Sequence, residues 1–156
     1  MKIKKKHGFT LVEIMITVAI IGLLATMASL ALRTAHKRAL IKQAEGELQM
    51  ISMAALRLAW DSRRWPNTAL RNQPGSTEIW DISVASAGIA ANDGSYADWK
   101  GPYYRGTTTD PWGNPYFFDP DYRINGVDRV VVGSFGPNGV GRNVYDSDDV
   151  IVLLDD

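Results

Sequence analysis

The chain has no cysteine and only two histidines, His7 and His36. Disulfides, zinc–thiolate sites and cysteine nucleophiles are therefore excluded. Neither a histidine-based triad nor a mononuclear zinc centre has its constituents in the second half of the chain. Paired-carboxylate chemistry is the remaining catalytic option, but the aspartates fall in turn-rich loops, so the reading is that this is not an enzyme. Net charge is also lacking. Seventeen basic side chains balance 17 acidic ones, so no overall charge points to nucleic acid. Proline is missing from Phe9 to Asp61, and between Phe9 and Leu32 the one ionisable side chain is Glu13.

What is present is unevenly placed. Lys2, Lys4, Lys5 and Lys6 crowd the start, while Asp146, Asp148, Asp149, Asp155 and Asp156 occupy the end with no base among them. The apolar run "HGFTLVEIMITVAIIGLLA" begins at His7 and extends as apolar sequence to Leu32. About two dozen such residues suffice for a membrane-spanning helix, which needs roughly 20. Lysines before it place that end in the cytoplasm and the remainder outside. An ordinary signal peptide, cut near Ala25, Ala28, Ser29 or Ala31, is one alternative, and a plain membrane anchor is another. Neither explains Glu13, because a carboxylate in hydrocarbon costs several kcal/mol unless it is paired.

Helical patterning continues past Leu32. Ala44, Leu48, Ile51, Ala55 and Leu58 recur at spacings of four and three, one face of an amphipathic helix. A single helix from Phe9 to Asp61 is expected, about 80 Å long at 1.5 Å per residue. Trp65-Pro66 supplies the stop. Residues 67–100 read poorly; Thr77 to Ala91 is expected as a short helix or a mobile connection. Tyr116 to Phe118 and Val127 to Gly133 read as strands, with Asn125-Gly126 as a tight hairpin turn. Ile151 to Leu154 is a further strand or an apolar tail. The fold class is α+β: a long helix packed on a small antiparallel sheet. The five tryptophans are expected as core or interface anchors.

Lys-Lys-Lys-His-Gly-Phe-Thr-Leu-Val-Glu-Ile resembles the type III signal of type IV pilins and type II secretion pseudopilins. Gly101-Pro102-Tyr103, Asp110-Pro111-Trp112-Gly113-Asn114-Pro115-Tyr116 and Ser134-Phe135-Gly136-Pro137-Asn138-Gly139 resemble segments of the major pseudopilins. The resemblance implies a pilin-like fold and a leader of residues 1–8. A prepilin peptidase would cut between Gly8 and Phe9 and methylate Phe9. It implies a retained transmembrane or filament-core helix over 9–32 and a periplasmic domain over 33–156. Within that domain come the amphipathic helix (33–61), a variable region (62–115) and the sheet with its C-terminal loop (116–156). Without the leader the chain is net acidic by four, 13 basic against 17 acidic side chains.

Glu13 would then face the amino terminus of a neighbouring subunit, since two costly buried charges become tolerable when they pair. The alternative is a glutamate near enough to the interface to be hydrated; it can be hydrated in the monomer and paired in the filament. The resemblance also implies a calcium-binding loop. It carries over the carbonyl of Phe135 and the side chains of Asn138 and Asp149, with Asp146 or Asp148 as compensating ligands. Relatives commonly have aspartate where Asn138 stands. A solvated acidic loop is the rival reading. Implied partners are further copies of the chain, the prepilin peptidase, an inner-membrane assembly platform, minor pseudopilins and, before assembly, lipid. The expected role is a pseudopilus subunit that drives export of folded proteins. A surface type IV pilin and a non-polymerising membrane-anchored binding domain are the alternatives.

Overall fold

The computed structural model describes residues 8–142 and 146–154. Helix α1 runs Leu11–Ser62, within two residues of the expected bounds. The chain divides into two compact units, Met1–Ala39 and Leu40–Asp156.

In the first unit every described helical residue is exposed, and the helix is long and apolar enough to cross a membrane. Its hydroxyls are satisfied within the helix. Thr17 donates to the Ile14 carbonyl at 2.9 Å, Thr26 to Leu23 at 2.7 Å and Ser29 to Ala25 at 2.8 Å. Such back-bonding leaves no bare hydroxyl in an apolar setting.

In the second unit all five residues of the expected apolar face, Ala44, Leu48, Ile51, Ala55 and Leu58, are buried. Leu48, Ile51, Ala55 and Leu58 join Tyr116, Phe118, Val130 and Val132 in the main core. Asp61 holds the helix end through Tyr103, whose hydroxyl donates to its carboxylate at 3.0 Å. Glu47 accepts from the Tyr116 hydroxyl at 2.6 Å.

The sheet has three antiparallel strands in the order β1 (Phe117–Ile124), β2 (Val127–Ser134), β3 (Val150–Leu153). β1 is longer than the expected Tyr116–Phe118. It continues through Asp119-Pro120-Asp121 by a bulge between Asp119 and Tyr122, where Pro120 has no N–H to give the ladder. Asn125 and Gly126 take φ of 51° and 84°, as a two-residue hairpin turn requires. Phe117, Tyr122, Val131 and Phe135 form a second cluster with Trp80 packed on it. The rings of Phe117 and Phe135 stack at 4.5 Å.

Residues 67–100 are mostly irregular and are tied to the sheet and to the turn after α1 by specific hydrogen bonds. A three-residue turn, Ala85–Ala87, is the one helical piece within Thr77 to Ala91. Ile79 exchanges two backbone hydrogen bonds with Phe118, each 2.8 Å, covering the free edge of β1. Buried Tyr96 reaches the Pro66 carbonyl at 2.7 Å and anchors the segment to the turn after α1. Trp65 is buried and stacks on Phe118. Trp60 is an exception among the expected anchors: it is exposed, with the Arg71 guanidinium 4.0 Å over its ring.

Candidate functional sites

The first site opens the helix. Gly8 and Phe9 precede α1, and Phe9 is 86% exposed. Residues 1–7 of the expected leader lie outside the described residues. Thr10 and Glu13 form a reciprocal cap. The Glu13 amide donates to the Thr10 hydroxyl at 3.2 Å, and Glu13 Oε2 accepts from the Thr10 amide and hydroxyl, both at 2.8 Å. Two of the four amides a helix start leaves open are thereby satisfied. The assembly role does not require this arrangement, although its signature, threonine followed three residues later by glutamate, stands in the sequence. The cap changes the energetics of Glu13. In a single copy its carboxylate already accepts two hydrogen bonds, so it is not bare when it enters an apolar setting.

The second site is the loop after β2. Phe135 is held by ring stacking, and the turn Gly136–Asn138 follows. Gly136 has φ of 63°, and a Cβ there would strike the backbone carbonyl of Asp148. Glycine thus lets the two arms of the loop close. Below them Asp110 Oδ1 accepts from the amides of Trp112 (3.0 Å) and Asn114 (2.8 Å), while its Oδ2 takes the Ser134 hydroxyl. Ser134 Oγ accepts from the Gly136 amide at 3.0 Å. The Asp110 turn therefore buttresses the loop, a role that the sequence marks only through its Asp-Pro-Trp-Gly-Asn pattern.

The structure brings Asn138 and Asp146 together: the amide donates to Asp146 Oδ2 at 2.9 Å. Asp146 Oδ1 accepts from the Asp148 amide at 2.8 Å. Asp149 Oδ2 accepts from the Tyr122 hydroxyl at 2.6 Å, and its Oδ1 is buried with no hydrogen-bond partner. Burial pushes the Asp149 carboxyl up, reinforced by Asp146 and Asp148, while the Tyr122 hydrogen bond partly opposes the shift. Among the described residues no three acidic or histidine side chains converge as a metal cluster. Asn138, moreover, uses its Oδ1 on the Val140 amide at 2.8 Å.

Residues 3–29 match the prokaryotic N-terminal methylation motif. The chain is also 27% identical to the type II secretion system core protein G of Aeromonas hydrophila, over 92% of this chain and 94% of that protein. The chain thus carries the methylation motif at its start and is similar to a type II secretion core G protein along most of its length. Core protein G of Pseudomonas aeruginosa is 26% identical over 94% of this chain and 96% of its own length. That of Klebsiella pneumoniae is 29% identical over 88% and 89%. No solved structure matches. The methylation motif falls on the segment that contains the Thr10–Glu13 cap.

Proposed function

We infer that the protein is a structural filament subunit, the major pseudopilin of a type II secretion system. The full-length similarity to three core G proteins carries this reading. In it, cleavage after Gly8 frees and methylates Phe9, and the subunit waits in the inner membrane with its second unit in the periplasm. On assembly, helix–helix packing replaces lipid around Leu11, Ile14, Met15, Val18 and Ile21, all exposed in the single chain. Glu13 meets the amino terminus of a neighbouring copy. Filament growth then pushes folded proteins through an outer-membrane channel, a mechanical task rather than a catalytic one.

Glu13→Gln separates the two roles of this residue. Glutamine retains the capping geometry and loses the charge. The variant should be processed and inserted normally yet fail to form filaments, scored in sheared fractions and by electron microscopy. Native-level filaments from Glu13→Gln would refute charge pairing. Filaments found outside the cell in the native strain would favour a surface pilin.

Calcium is part of the same proposal. The orphan Oδ1 of Asp149 fits a hard cation, and Asp146, Asp148, Asn138 and the Phe135 carbonyl are the oxygens that would accompany it. A bound cation would neutralise the loop and hold it closed against the Asp110 turn.

A further inference from the structure

The β1 bulge holds a second group of acids, remote in sequence from the C-terminal loop. Asp119 is 1% exposed. Its Oδ1 accepts from the Asp121 amide at 2.9 Å, and its Oδ2 is buried without a hydrogen-bond partner. Asp121 Oδ1 is also buried and unpartnered. That amide bond ties the two aspartates together across Pro120 in the bulge. A buried carboxyl beside a second one is costly to ionise, because burial and the neighbouring charge both oppose it.

The charged groups bearing on Asp119 are Asp121 and, from the segment that covers the β1 edge, Glu78; both are acids. On β2, Val131 stands opposite Asp119 and Arg129 opposite Tyr122. Tyr122 gives its hydroxyl to Asp149. Arg71 and Asp128 line the same surface groove as Asp121, on its open side. Burial first, then the Asp121 and Glu78 carboxylates, pushes Asp119 up to about 7.

We propose that Asp119 and Asp121 form a proton-storing pair: a single proton bridges Asp119 Oδ2 and Asp121 Oδ1 and latches the bulge until base removes it. A proton suits the site better than a metal. It requires only the two orphan oxygens, whereas calcium takes six to eight, and no third acidic side chain converges here among the described residues. Loss of the proton leaves two charges facing each other beside Tyr122, the residue that holds Asp149. The latch thus couples external pH to the strand that supports the C-terminal loop. It does not depend on the filament reading.

The sign follows from linkage. Between about pH 4 and about pH 7 the folded chain binds a proton that the unfolded chain has released, so stability falls as pH rises through that window and levels off above it. Asp119→Asn supplies a permanent N–H donor to Asp121 while its own oxygen still accepts the Asp121 amide. Asp149 titrates in the same sense, so the comparison is made in an Asp149→Asn background. The full chain in detergent is melted from about pH 5 to about pH 9, with chelator and with calcium. The parent's melting temperature should fall by several degrees across this range. Asp119→Asn should flatten the slope and melt higher than the parent at the alkaline end. An unchanged slope, or lower stability at every pH, would overturn the proposal. So would a calcium stabilisation that Asp119→Asn abolishes, since that would make the pair a metal site. Infrared titration of the parent provides a test that needs no Asp119 variant: a protonated-carboxyl band should persist near neutrality and vanish in base. Its absence above about pH 5 would refute the latch.

Discussion

The two halves of α1 share a backbone and differ in what surrounds them. From Leu11 to Leu32 the helix is apolar and exposed, a short basic stretch follows, and from Leu40 its inward face is buried under aromatic and branched side chains. In the proposed role the first half is the surface that lipid or other copies of the chain would cover. The second half is an ordinary amphipathic helix, stabilised mainly by what it packs against. One continuous helix can therefore answer to two solvents, and substitutions in its halves should register in different assays.

The sharpest contrast is between Phe118→Ala and Leu24→Ala. Phe118 is fully buried among α1, Trp65 and the sheet, so its truncation should cost about 3–5 kcal/mol. Leu24 is exposed in the first unit, and its truncation should leave the domain's stability within about 0.5 kcal/mol while weakening filaments. Chemical denaturation monitored by tryptophan fluorescence checks both. Equal losses would erase the distinction between the halves.

Next in size is Tyr116→Phe. It removes a 2.6 Å hydrogen bond to the Glu47 carboxylate, which links the second half of the helix to the sheet. A loss of about 1.5–3 kcal/mol is expected by the same denaturation measurement. A negligible effect would mean that apolar packing alone joins the layers.

Asp149→Asn sharpens the comparison at the loop. Without a cation the buried, upshifted carboxyl loses stability as pH rises beyond its unfolded pKa, so asparagine should be neutral or stabilising at neutral pH in chelator. With calcium present the order should reverse, the native protein melting higher. If calcium and chelator leave native and variant alike, the ion should be dropped from the proposal. The smallest effect is expected for Thr10→Ala, which removes half of the helix cap. It should cost about 1 kcal/mol locally, read as faster amide exchange in the first turn with no change in domain melting.

Much of this architecture was legible before any coordinates. The 4-3 spacing of Ala44, Leu48, Ile51, Ala55 and Leu58 identified the buried face because burial and helical period coincide there. Asn125-Gly126 identified the hairpin because few other pairs take two positive φ values in succession. The Gly8–Glu13 signal was legible as a contiguous motif, and the matching methylation motif supports that reading. The rest depends on contacts made across long sequence separations. Ile79 finds Phe118, and Tyr96 finds Pro66, through tertiary packing that local pattern does not encode. Asp119-Pro120-Asp121 reads as the approach to a turn. That both aspartates retain an unpartnered buried oxygen follows only once the bulge sets them into the sheet.

Intact-mass and N-terminal analysis of the mature protein from membranes tests the central claim most directly. The account predicts a chain that starts at Phe9, carries one methyl group on its amino terminus and retains the whole apolar half of α1. A mature start anywhere beyond that half, or an uncut chain still bearing Met1, would contradict it.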